Sequence, residues 1–263
     1  MARGVLAFRS EVAALFALVR ARREAKMLAT LGAASRACCK AQFIAAQNID
    51  PKLEVPNNSS LLQLKNAISF VPAHLRSQLH LEFGVRKGES LRYLAKLTGA
   101  ATRWDGFDSF QGLPATADGH RLAWGKGRYT THGQLPDVPP HVSLHAGWFN
   151  ETLPPFLDAQ LAAGRVAVGF ANLDADLYVS TIIVFEAIFS RCMHRRGTVF
   201  SFDELFGTRE ILNHEWRALN EATKARGITF KFVSFARTPR SRFARAAVQI
   251  EECGAGCPRC DAV

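Results

Sequence analysis

The chain has 263 residues, 48% of them hydrophobic and 21% charged, which allows one α/β domain with an extension and excludes a globally disordered chain. Its formal charge of +10 admits nucleic acid, an anionic membrane surface or an acidic substrate, but the excess is spread out. No aromatic-interleaved basic stripe marks a nucleic-acid surface, and no apolar run reaches the roughly 18 residues of a transmembrane helix.

Residues 1 to 40 are Ala/Arg-rich and read as helical. The Arg-rich, acid-poor start resembles an organelle-targeting peptide, but Glu11 and Glu24 favour an amphipathic helix. Such a helix packs on the domain or joins copies into a homo-oligomer. A polar break from Gln47 to Ser60 follows, so residues 1–58 are expected as an extension, 59–251 as the main domain and 252–263 as a Cys-rich tail. Ser59 or Ser60 can cap a helix over Leu61 to Phe70. A strand–helix rhythm then begins. Strands are expected at Leu79–Phe83, Thr102–Phe107, Val142–His145, Val166–Leu173 and Thr198–Phe202, with helices over Glu89–Leu97, Leu153–Ala163, Ser180–Cys192 and Leu212–Arg226. Gln111 to Pro140, with Trp124 and Tyr129, reads as a long loop of the kind that often covers a ligand. The last strands, Thr229–Phe235 and Ala246–Glu251, lack room for a crossover helix and are expected antiparallel.

Three groups of residues carry chemistry. In Glu82-Phe-Gly84-Val-Arg-Lys-Gly88-Glu-Ser90 a strand ends at one glycine and a second opens a helix, so a ligand can approach the backbone closely. The Gly-x-Gly-x-x-Gly dinucleotide fingerprint is absent, which argues against a nicotinamide enzyme. Glu82 beside this turn suits a ligand bearing an ammonium group. Asp108, ending the second strand, can accept hydrogen bonds from both hydroxyls of a ribose. Asp105, within the strand, is expected to face solvent. Asp174 and Asp176 follow the fourth strand, and Asp203 and Glu204 the fifth, on the rim where open α/β sheets bind ligands. Several carboxylates on one rim repel unless a proton or cation lies among them, and oxygen-only donors suit a hard ion such as Mg²⁺. Helix capping is the simpler use of the same acids.

Glu82-Phe-Gly-Val-x-x-Gly-x-Ser90, Gly106-Phe-Asp-Ser-Phe-Gln-Gly-Leu-Pro114, Gly147-Trp-Phe-Asn-Glu-Thr-Leu-Pro154, Leu173-Asp-Ala-Asp-Leu-Tyr-x-Ser-Thr181 and Phe202-Asp-Glu204 occur in one order. Over about residues 60 to 250 this resembles the macrocin O-methyltransferase family, which methylates sugar hydroxyls of natural products. The resemblance implies a Rossmann-like class I methyltransferase fold: a seven-stranded, mostly parallel sheet with a terminal antiparallel hairpin and helices on both faces. It also implies S-adenosylmethionine as cofactor and a divalent metal that grips a hydroxylated small-molecule acceptor. By that likeness Glu82, Gly84, Gly88 and Ser90 line the methionine end, Asp108 holds the ribose, and Asp174, Asp203 and Glu204 are metal ligands. The chain departs from the pattern with Glu204 in an Asp-Asp pair and Phe206 where some relatives carry histidine. The general base stays open between Asp174 and Asp176. An RNA or protein acceptor, or a catalytically silent binding protein on the same fold, are the rival readings.

The six cysteines show no secreted disulfide framework, so a reducing, cytoplasmic setting and a flexible Cys253–Cys260 tail are expected. His74, His80, His120 and His132 read as surface or loop residues. His145, at a strand end beside Gly147-Trp148, is the histidine expected near an active site.

Overall fold

A computed structural model describes residues 43–44, 46–55, 59–115, 125–237, 243–257 and 260–261. The expected N-terminal helix, Cys38, Cys39, His120 and Trp124 lie outside the described residues. Ser59 caps the first long helix, α1 (Ser60–Ser69), by accepting a hydrogen bond from Leu62 N at 3.3 Å. The chain then alternates β1 (Leu79–Phe83), α2 (Glu89–Thr98), β2 (Trp104–Asp108), β3 (Val142–Ala146), α3 (Phe149–Ala162), β4 (Val168–Leu173) and α4 (Tyr178–Ser190). It continues through β5 (Val199–Gly207), the short α5 (Arg209–Leu212), α6 (Glu215–Arg226), β6 (Thr229–Arg237) and β7 (Phe243–Glu252).

The sheet order is β3-β2-β1-β4-β5-β7-β6. The first five strands pair in parallel, and β7 lies antiparallel between β5 and β6. Because the order reverses between β1 and β4, their carboxyl ends open a crevice. Period-2 alternation divides β1: Leu79, Leu81 and Phe83 join one apolar core with α3, α4 and α6. The opposite face packs Trp104, Phe170 and Val199 against α1 and α2. Helices thus cover both faces of the sheet.

Phe43, Ile44 and Ile49 feed the first core. Phe43 is 2% exposed, stacks on Phe206 at 4.7 Å and meets Trp216 edge-on at 4.8 Å. Val55 N donates to Phe235 O at 2.8 Å. Phe206, at the position where a histidine was of interest, is therefore a core residue.

Four sequence expectations are corrected. Cys192 pairs with Cys257 and Cys253 with Cys260 in disulfides. The tail is consequently docked: Cys253 and Cys257 are buried, and Arg196 N donates to Cys260 O at 2.9 Å. Cys192 lies 65 residues from its partner, so no local spacing marks the pair in the sequence. His80 is buried inside β1, edge-on to Trp104, and burial lowers its pKa. Asp105 does not face solvent: its Oδ1 accepts from His145 Nε2 at 2.9 Å across the β2–β3 register. Asp203 and Glu204 do not follow β5 but lie within it, at a register break between Phe202 and Phe206. Among the described residues no helix is long and apolar enough to cross a membrane.

Candidate active site

A cavity of about 720 Å³ runs along the carboxyl ends of β1, β2, β4 and β5. Gly84, Asp108, Asp174, Asp176, Asp203 and Glu204 line it, together with Arg86, Arg128, Tyr129, Trp148 and Phe243. Glu82, Gly88, Ser90 and His145 do not.

The near wall is built by backbone. Gly84 has φ +90°, and a Cβ there would stand 1.8 Å from the carbonyl oxygen of Asp174. Only glycine allows the β1 turn to lie flat against the β4 loop. Asp174 N donates to Phe83 O at 2.8 Å, closing the same contact. Asp108 accepts from Arg86 N through Oδ2 and from Phe110 N through Oδ1, both at 2.7 Å. Burial nevertheless raises its pKa, outweighing those two donors. Each carboxylate oxygen keeps a second lone pair for a ligand hydroxyl. Gly112 (φ +82°) makes the next close approach: a Cβ there would sit 2.4 Å from Arg128 O. The segment carrying Arg128 and Tyr129 is thereby pinned over the loop that follows Asp108.

Glu82 lies behind this wall. It points from β1 toward α2, accepting from Ser90 Oγ at 2.9 Å and from Asn172 Nδ2 at 3.2 Å. Its side chain is fully enclosed, and burial pushes its pKa up to about 7 against both donors. Gly88 caps α2 in the left-handed conformation, packed against Pro136 and away from the cavity.

The far wall is acidic. Leu173 and Phe202 are register partners, so the residues that follow them, Asp174 and Asp203, emerge side by side. Asp203 forms a bidentate ion pair with Arg245, yet burial outweighs that cation and raises its pKa. Asp176 sits at φ +56°, an uncommon conformation for a non-glycine residue that neighbours must hold in place. Burial and Asp203 push it up to about 7, opposed by the neighbouring Glu204 carboxyl. Glu204 rises further, to about 10, through burial, Asp176 and Glu215. Because Asp176 and Glu204 act on each other, the two carboxyls titrate as a pair. Asp174 is raised well above the carboxylate range by burial, then by Asp203 and Asp176.

Glu215, which nothing in the sequence singled out, ties this wall together. It is 1% exposed at the start of α6. Its Oε1 accepts from Ala175 N at 3.4 Å and its Oε2 from Glu204 N at 3.2 Å. Arg245 was visible only as one of several arginines near the last hairpin. Glu204 Oε2 is buried without a hydrogen-bond partner. Among the described residues no three His, Cys, Asp or Glu side chains converge as a ready metal site.

No family model matches the chain, and no curated protein matches it in sequence. Solved structures do. The calicheamicin methyltransferase CalS11 shares 22% identity, with 86% of this chain and 92% of that one covered, at a TM-score of 0.50. The O-methyltransferase TomG from Streptomyces achromogenes, involved in tomaymycin synthesis, shares 16% over 83% of this chain and 91% of that one, at 0.48. An O-methyltransferase from Bacillus cereus shares 14% over 86% and 91%, at 0.42. Identities this low speak to architecture, and with the strand order above, the chain has the Rossmann-like class I methyltransferase fold.

Proposed function

We propose that the chain is an S-adenosylmethionine-dependent O-methyltransferase acting on a hydroxylated small molecule. One observation carries this reading: a single cavity joins the β2 carboxylate Asp108 to the acidic wall of β4 and β5. Its volume lies within the range of small-molecule sites. Asp108 accepts the ribose hydroxyls, and Gly84 lets the methionine part lie along the β1 turn. The acceptor occupies the acidic side, with its hydroxyl facing the sulfonium methyl.

Methyl transfer is an in-line displacement, so the protein's task is alignment and removal of one proton. Asp176 is our choice of base, since it faces the cavity from a strained turn at the start of α4. Asp174 is the alternative. The cofactor would supply a methyl group on a sulfonium, which becomes a neutral sulfide on transfer, and that carboxylate would take the proton the acceptor oxygen gives up.

The donor chemistry suits a hard divalent cation, although among the described residues the side chains do not converge as a ready site. The donors are carboxylate oxygens only, and Glu204 Oε2 is buried without a donor. Asp174, Asp203 and Glu204 would hold such an ion, with Arg245 competing for Asp203. When bound, it supplies Lewis acidity that lowers the pKa of an acceptor hydroxyl and orients it.

Isothermal titration with S-adenosylhomocysteine tests the reading. Wild type binds one equivalent, and Asp108→Ala weakens binding by about 1.5 to 3 kcal/mol, the worth of a hydrogen bond to a charged group. An unchanged affinity removes Asp108 from the site. No binding at all removes the cofactor.

A further inference from the structure

The cavity has a basic element that the methyl-transfer reading leaves unused. Arg86, from the turn after β1, and Arg128, from the pinned segment, both line it. Their guanidinium carbons stand 5.0 and 4.9 Å from the centroid of the same Tyr129 ring. Contact with a ring face holds a guanidinium while leaving most of its N–H groups open. Neither arginine belongs to an ion pair among the described residues; the arginines that do are 191, 196, 217, 226, 237 and 245.

The backbone presents this pair in a fixed way. Arg86 has φ +48° and Tyr129 φ +67°, both left-handed without being glycine. Arg86 N is anchored on Asp108, and Arg128 O lies against Gly112. Two like charges brought to one ring repel, and a bound anion relieves that repulsion. Asp176 is the facing acid on the cavity wall, but among the described residues it forms an ion pair with neither arginine. An external anion would give both guanidinium groups the ion-pair partner that neither has among the described residues.

We propose that Arg86 and Arg128, held over Tyr129, bind a phosphate or diphosphate group carried by the acceptor. This rests on the methyltransferase reading for the word acceptor, while the anion site stands on the arginine geometry alone. A phosphoryl group presents oxygens in several directions and can engage two guanidinium forks at once. A carboxylate offers only two oxygens, both in one plane. The acceptor class is therefore a phosphorylated or nucleotide-linked hydroxy compound, gripped at its anionic end and methylated on a hydroxyl near the acidic wall.

The test is calorimetric titration of the full chain with inorganic pyrophosphate in buffer free of divalent ions, with and without saturating S-adenosylhomocysteine. One saturable site is expected. Arg86→Gln and Arg128→Gln each weaken it about tenfold or more, and the corresponding Lys variants recover part of the loss. S-adenosylhomocysteine affinity stays within about threefold of wild type in all four variants. Absence of saturable binding at millimolar pyrophosphate overturns the proposal. So does an affinity that neither Gln variant changes, which puts the anion elsewhere on this basic surface. If the Gln variants lose S-adenosylhomocysteine and pyrophosphate displaces it, the arginines serve the cofactor's carboxylate and the proposal is wrong. Should wild type bind no S-adenosylhomocysteine, the methyltransferase reading falls alone, because the cofactor-free titration still decides the anion site.

Discussion

Replacing Glu82 by glutamine isolates the electrostatics behind the cofactor turn. Glu82 is wholly buried, and its pKa rises from 4.5 to about 7. Because the folded value exceeds the unfolded one, folding takes up a proton between them. The stabilising contribution is fully present below about pH 4.5 and is lost as pH rises through about 7. Keeping this carboxyl ionised in the fold therefore costs about 3 kcal/mol at alkaline pH. Glutamine cannot ionise, and rotation of the Ser90 hydroxyl and the Asn172 amide can accommodate it. Urea denaturation of both proteins from about pH 5 to about pH 8.5 measures the difference. Wild type should lose about 2 to 3 kcal/mol relative to Glu82→Gln across that range. Titration of the acidic wall is common to both and cancels in the subtraction. A difference that stays constant with pH would refute the reasoning, since glutamine would then be acting through packing alone.

Two further outcomes are expected. Cys192→Ser should lower stability by about 2 to 4 kcal/mol in oxidised protein and change little under reductant, because it frees a closure 65 residues long. Six reactive thiols in unreduced, denatured wild type would refute both disulfides. Mg²⁺ should raise the thermal midpoint of wild type but not of Asp203→Asn, because a cation relieves repulsion in which Asp203 takes part. Equal midpoints with Mg²⁺ and with excess chelator would end the metal reading.

Local signals made the fold legible. Each parallel strand is a short apolar run closed by glycine or a carboxylate, and β1 was bounded to the residue at Leu79–Phe83. The antiparallel end followed from the few residues between Phe235 and Ala246, too few for a crossover helix, and β6 and β7 extend further still, to Arg237 and from Phe243. Where contacts join distant residues, pattern carried no such information. Asp105 reads as solvent-facing by alternation, but the neighbouring strand supplies His145 as its partner. Phe202-Asp-Glu-Leu-Phe206 reads as a strand that stops, although the register break lets it continue with both acids at the cavity. Pro154 and Pro155 obscured the start of α3, which begins at Phe149 because Glu151 N and Thr152 N already donate to Trp148 O.

The two walls of the cavity differ in the same way. Backbone within a few residues of Gly84 and Asp108 forms the near wall, so its parts lie together in the sequence. The far wall depends on side chains brought from the β4 loop, β5, α6 and β7, and of these only Asp174, Asp176, Asp203 and Glu204 announced themselves. Yet the walls are mechanically one. Gly84 leaves no room for a side chain before the Asp174 carbonyl. Glu215 holds Ala175 and Glu204 with one carboxyl group. A shift of the β1 turn must therefore move the Asp174–Asp176 loop, and through Glu215 the β5 break as well. Donor and acceptor sites built on this fold would keep their relative position through that chain of contacts, which is what an in-line transfer requires of the protein.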